Sequence, residues 1–246
     1  MMKRLILIPI IILNKLYKFL LFKNLLFSHK VGGVSSIPLP IIDDKRKDKN
    51  KKKGLNSYKK LDLILKNIPK DAKNIIDVGS NNGFFSIKLA QKGYQVIGYE
   101  PTDKFVESSN MICRKYDINN AVFYKIGLDK DSSESLFDAD ISLVLSVLHN
   151  WVKQSDYNTA IEILKNIWSK TNKIMFFELA DTIDNEYIAS FDTMPSMGNT
   201  TSECTIFMKN KMLAQLTNAK VEFLELMPTD YNNGTARHLF KISRIK

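Results

Sequence analysis

The run Ile75-Ile76-Asp77-Val78-Gly79-Ser80-Asn81-Asn82-Gly83-Phe84 puts two glycines where a short β-branched stretch gives way to a helical one. Glycine there permits positive φ and lets the backbone approach a ligand with no Cβ in the way, and the helix start that follows offers N–H donors. Glu100 stands 17 residues beyond Gly83, at the end of the next apolar run. A carboxylate at that place can accept hydrogen bonds from both ribose hydroxyls of an adenosine-containing ligand. A glycine-rich turn alone can be a structural bend; an acid at this distance makes the pair a candidate nucleoside site.

Two further groups sit where a parallel sheet would present its ligand edge. Asp140-Ile141-Ser142-Leu143-Val144-Leu145-Ser146-Val147-Leu148-His149-Asn150-Trp151 carries an apolar run into Ser146 and His149, and Phe176-Phe177-Glu178-Leu179 ends another run on an acid. Open α/β sheets bind ligands outside the carboxyl ends of their strands, so residues 146–151 and Glu178 are candidates to shape an acceptor site. Two readings of Glu178 are open, contact with the acceptor and pairing with a nearby base at the rim. His238 beside Arg237 reads as structural, and His29 has no constellation around it.

The elements that must position these groups follow from periodicity. A helix from Asn56 or Ser57 stops at Pro69, and strands are predicted at 74–78, 94–99, 121–126, 140–146 and 173–178. Helices are predicted over 84–91, 103–116 and 157–169 between them. Strands alternating with helices at this spacing mean right-handed crossovers and a parallel sheet covered on both faces. The end differs: a helix near 207–217 precedes strands at 221–227 and 239–243, joined through Asn232-Asn233-Gly234, which is hairpin chemistry. The connection 180–206 is long for a compact domain and is expected to cover a binding site.

Over roughly residues 56–246 the chain resembles the class I S-adenosylmethionine-dependent methyltransferases. Their first motif looks like Asp77-Val78-Gly79-Ser80-Asn81-Asn82-Gly83, with Asn81 in place of the usual middle glycine; asparagine tolerates left-handed φ well. Their ribose-binding acid looks like Glu100 and their antiparallel last strand like 239–243. The resemblance implies an α/β, Rossmann-like, seven-stranded and mostly parallel sheet with a C-terminal antiparallel hairpin and helices on both faces. It implies S-adenosyl-L-methionine as cofactor, held by Asp77, Gly79, Ser80, Asn82, Gly83, Glu100, Gly127 and Ser146, with Asp77 organising the loop and Gly127 bordering the adenine. His149-Asn150-Trp151 looks like the His-Asp-Trp region of small-molecule O-methyltransferases, in which the histidine removes the acceptor proton. An imidazole suits that work when its pKa lies near operating pH, while a substrate-orienting or structural role is also open to His149. The expected acceptor is a small molecule or glycan.

Charge and composition narrow the alternatives. Residues 1–60 hold 15 of the 36 Lys+Arg and 3 of the 26 Asp+Glu, a balance of +12, so the remainder carries −2. The basicity belongs to the N-terminal segment, residues 1–54; the alternative of an RNA or protein acceptor attached through the Lys45–Lys60 run is not favoured by the near-neutral domain over 55–246. Residues 4–27 space Lys15, Lys18 and Lys23 among apolar side chains, as a helix lying on a membrane surface would; packing against the domain or a partner and a signal-anchor role are the alternatives. Residues 43–60 are lysine-dense and read as a solvated linker. Cys113 and Cys204 are too few and too far apart for a zinc site, so no metal is expected and both read as reduced thiols in the cytoplasm. A nicotinamide-dependent oxidoreductase calls for a third glycine further into the helix, and Phe84-Phe85-Ser86 offers none. A non-catalytic adaptor on the same fold is opposed by intact Gly79, Gly83 and Glu100.

Overall fold

Side chains alternating along each strand build two separate apolar layers. Ile76, Val78, Val144, Met175 and Phe177 join one buried cluster, and Ile75, Ile141, Leu143, Ile174 and Phe176 join another. A strand whose two faces are both covered belongs in the middle of a parallel sheet, which is why these runs are nearly continuously apolar. The computed structural model describes residues 55–180, 191–228 and 236–245.

In chain order the elements are α1 (Leu55–Asn67), β1 (Asn74–Val78), α2 (Phe84–Ala90), β2 (Gln95–Glu100), α3 (Asp103–Lys115), β3 (Ala121–Lys125), α4 (Lys130–Glu134) and β4 (Ala139–Leu145). There follow α5 (Leu148–Gln154), α6 (Tyr157–Ser169), β5 (Thr171–Ala180), α7 (Thr201–Phe207), β6 (Ala219–Pro228) and β7 (Ala236–Arg244). The sheet order is β3-β2-β1-β4-β5-β7-β6. The first five strands pair in parallel, and β7 enters antiparallel between β5 and β6. This is a Rossmann-like α/β fold, mostly parallel with a C-terminal antiparallel hairpin. Order reverses at β1, between β2 and β4, so the carboxyl end of β1 is the switch point where such sheets bind ligands.

Helices α1 and α2 cover one face through Leu61, Ile64, Phe84, Phe85 and Leu89. Helices α5 and α6 cover the other through Leu148, Trp151, Ile161, Leu164 and Trp168. Helix α6 starts where Asp156 accepts a hydrogen bond from Thr159 N at 2.9 Å, satisfying one of the donors a helix start leaves open.

Three features differ from the sequence expectation. The helix placed near 207–217 begins earlier, as α7, and continues as a π-turn over Met208–Met212 and a 3-10 turn over Leu213–Gln215. Its start is a reciprocal cap in which Thr200 accepts from Glu203 N and the Glu203 carboxylate accepts from Thr200 N. Short α4 and α5 were also not anticipated; α5 means that His149 lies in the first turn of a helix. The described part of the expected cover, from 191 onward, packs into the core through Met194 and Met197, and residues 181–190 lie outside the described residues. The Asn232-Asn233-Gly234 turn, His29 and residues 1–54, with the helix expected over 4–27, also lie outside them.

Candidate active site

The turn after β1 is built by backbone bonds to β2. Gly79 N and Ser80 N both donate to Tyr99 O, at 2.8 and 3.1 Å, and Gly83 N donates to Ser80 O at 2.9 Å. Gly79, Asn81 and Gly83 all adopt left-handed φ, at 70°, 49° and 74°. An L-residue at Gly79 would be strained, and its Cβ would stand 2.6 Å from Val147 Cγ2. That contact sets the loop directly against the segment that follows β4.

Glu100 ends β2 almost fully buried beside this turn. Its Oε2 accepts from Asn81 N at 2.9 Å and its Oε1 from Thr102 N at 2.9 Å. Asn82 N donates to Asn81 Oδ1 at 2.8 Å. The N–H groups of Asn81, Asn82 and Gly83 are therefore engaged inside the loop, where the sequence reading expected donors open to a ligand. Each carboxylate oxygen of Glu100 keeps a further lone pair, so the acid can organise the loop and still accept ribose hydroxyls. With those acceptor positions the residues present fit the ribose of an adenosyl group.

Asp77 lies beneath the loop, buried, and accepts from Ser86 Oγ at 2.5 Å, tying β1 to α2. Burial pushes its carboxyl up to about 6, against the Ser86 hydrogen bonds, with Glu100 adding to the rise. Ser80 and Asn82 are buried in the turn. Gly127 follows Ile126, whose N donates to Glu100 O at 3.1 Å, so the segment after β3 borders the same acid.

Across Val147 the chain places Ser146, with φ 58°. Ser146 N donates to Glu178 O and its Oγ to Glu178 Oε1, both at 2.9 Å. Glu178 is fully buried and pairs with Lys60 of α1 through Oε2 and with Arg237 of β7, whose Nε lies 3.8 Å from Oε1. Arg237 Nη1 also donates to Ser146 Oγ. Burial by itself would raise the Glu178 carboxyl, but Lys60 and Arg237 with the Ser146 hydrogen bond hold it below the ordinary value. Of the two readings open for Glu178, the structure supplies pairing with bases, two of them.

His149 is partly buried in the first turn of α5. Burial, with Arg237 adding, lowers its imidazole to about 4. It is neutral at physiological pH but a weak base, which removes the match to operating pH that favoured it as a proton acceptor. His238 is fully buried, with Nδ1 3.0 Å from Thr205 Oγ1, a structural position. Cys113 and Cys204 are buried free thiols, and burial pushes Cys113 up to about 11.

Lys60 and Arg237 are the site residues the sequence reading missed. Lys60 fell in the stretch read as a solvated linker, yet its side chain is only 13% exposed and its Nζ lies 5.8 Å from the Phe85 ring centroid. The signal was its spacing on one helix face with Ser57 and Ile64. Nothing in the local sequence marks Arg237.

No protein-family model and no curated protein sequence matches the chain. Among solved structures it is similar to the bifunctional kinase-methyltransferase WbdD, with a TM-score of 0.67 and 19% identity over 90% of this chain. The match spans 46% of that chain, so the chain corresponds to under half of WbdD. It is also similar to magnesium protoporphyrin IX methyltransferase (ChlM) from Synechocystis PCC 6803 with bound S-adenosylmethionine, with a TM-score of 0.54 and 16% identity over 77% of this chain and 80% of that one. A third is YcgJ from Bacillus subtilis, with a TM-score of 0.54 and 13% identity over 77% and 99%. At these identities the likeness establishes the fold.

Proposed function

We propose that the chain is an S-adenosylmethionine-dependent methyltransferase that transfers a methyl group to an oxygen or nitrogen of a small-molecule or glycan-type acceptor. The observation that carries this reading is the left-handed glycine turn at the switch point of the sheet with Glu100 bonded beside it. A neighbour of the same fold, ChlM, is described with the cofactor bound. S-adenosylmethionine would supply an electrophilic methyl group on a sulfonium. Glu100 would accept the ribose hydroxyls, Gly79 and Gly83 would let the backbone lie along the methionine portion, and Gly127 would border the adenine. Ser80, Asn82 and Asp77 hold the turn in shape, and Ser146 stands where cofactor and acceptor regions meet. His149 and Glu178 belong to the acceptor side, Glu178 as the anchor of its charged groups. Their contribution to rate is alignment, which can account for a large part of a barrier when reacting atoms are held close.

The reading places the protein in the cytoplasm with residues 4–27 at a membrane surface. Among the described residues no helix is long and apolar enough to cross a membrane. The test is calorimetric titration of the full chain with S-adenosylhomocysteine, wild type beside Glu100→Gln. One-to-one binding weakened about tenfold or more in the variant is expected, since a charged hydrogen-bond acceptor is lost. A folded wild type that does not bind overturns the reading.

A further inference from the structure

The polar groups around Glu178 do not balance. Two cations, Lys60 and Arg237, face one carboxylate, with side-chain exposures of 13%, 23% and 1%. His149, which Arg237 influences electrostatically, is held neutral. Among the described residues this leaves one positive charge in excess in a largely dry corner at the carboxyl edge of β4 and β5. A partly buried charge without a counterion is costly, and the protein keeps it beside the switch point. Glu178 Oε2 goes to Lys60, which also borders Phe85 at the base of the glycine turn. Arg237 is the more exposed cation, and of its five N–H donors Nη1 goes to Ser146. A guanidinium in that state is a fork for two oxygens.

We propose that the acceptor of this site carries an anionic oxygen group, a carboxylate or a phosphate, and that Arg237 holds it against the Ser146–Val147 side of the cofactor pocket. The proposal rests on the methyltransferase reading and narrows its acceptor class. Such an acceptor explains two features together. It neutralises the excess cation, and it presents an oxygen that needs no deprotonation, which suits a site whose His149 is a weak base. The transfer balances without a proton: the acceptor oxygen supplies the electron pair of the new C–O bond, and the pair of the broken C–S bond stays on sulfur. The products are a methyl ester and a neutral thioether.

The test uses the full chain saturated with S-adenosylhomocysteine, titrated with benzoate, phenyl phosphate and benzyl alcohol by ligand-observed NMR, in wild type, Arg237→Gln and Arg237→Lys. Wild type is expected to bind at least one anion about tenfold or more tighter than the neutral alcohol, about what one charged contact supplies. The stronger of benzoate and phenyl phosphate tells carboxylate from phosphate. Arg237→Gln should lose the preference while keeping its affinity for S-adenosylhomocysteine within about twofold, and Arg237→Lys should keep part of it. Benzyl alcohol binding as well as both anions, or no anion binding at all, overturns the proposal on wild type alone, whatever the folding of the variants. An anion preference that survives in Arg237→Gln also overturns it. S-adenosylhomocysteine binding without anion preference sinks only this proposal. Arg237-dependent anion binding without S-adenosylhomocysteine binding sinks the methyltransferase reading and leaves an anion site.

Discussion

The glycine turn with Glu100 and the Ser146–Glu178–Arg237–Lys60 cluster meet at Val147, and they are made of different material. The first is backbone: left-handed residues, amides bonded to Tyr99 O and Glu100, and one acid a short distance along the chain. The second is side chain: four polar residues from α1, β7 and the ends of β4 and β5, brought together only by the completed sheet. A backbone cradle is specified locally and tolerates change around it. A charge cluster is specified by tertiary assembly, and each member depends on the others, because removing one partner leaves a buried charge unpaired.

The sharpest way to break that contrast is Glu178→Gln. It leaves Lys60 and Arg237 facing each other without a counter-charge, and a loss of about 3–5 kcal/mol is expected. In a thermal melt that is a fall of roughly 10 °C for a domain this size. Because the folded carboxyl titrates below its ordinary value, its stabilisation is present above about pH 4.5 and fades as pH falls through the lower folded value. The gap between wild type and variant should therefore be full at neutral pH and narrow in acid. A loss under about 1 kcal/mol at neutral pH would mean the cluster is solvated, and the contrast would fail.

Asp77→Asn tests the buried carboxyl beneath the glycine turn, on the backbone side. A carboxyl raised from 3.8 to about 6 contributes stability that is complete below the lower value and lost as pH rises through the higher one. Wild type should lose about 2–3 kcal/mol relative to the variant between about pH 4 and about pH 7, in urea melts, since Asn keeps an acceptor for Ser86 and never ionises. Parallel pH profiles would place Asp77 in a wetter setting than its burial implies.

Gly79→Ala should cost about 1–3 kcal/mol from two sources, left-handed φ and overlap with Val147. Adding Val147→Ala relieves the overlap and not the φ, so chemical denaturation should show partial recovery on top of the cost of the valine itself. Full additivity of the two changes would show that the loop and the β4 end do not press on one another.

What could be read from the chain follows the same division. The strand at 74–78 and the helix at 157–169 fall where periodicity put them, because apolar period and capping by Asp156 are local facts. The turn and Glu100 were legible because their spacing is a property of one stretch of chain. Helix α7 was placed late although Thr200-Thr201-Ser202-Glu203 carries the signature of a reciprocal cap. Arg237 was illegible for a physical reason: its register opposite Ala180 exists only after β7 inserts antiparallel beside β5. Lys60 was hidden by composition, since a lysine among lysines reads as solvated until its helix face is known.

Ser146 belongs to both halves, and the smallest predicted effect is the most discriminating. Its backbone is left-handed, as on the glycine side, and its hydroxyl accepts from Arg237 while donating to Glu178, as on the charged side. Ser146→Ala keeps the strained φ and removes the bridge, so about 1–2 kcal/mol should be lost. Ser146→Gly removes the bridge and also relieves left-handed strain worth about 1 kcal/mol, so its net loss should be about 0–1 kcal/mol. Denaturant midpoints of the two variants separate the contributions: a glycine variant more stable than the alanine one by about 1 kcal/mol assigns the remaining loss to the hydroxyl. Equal stability would mean that the turn is held without strain, and that Ser146 belongs with the side-chain cluster alone.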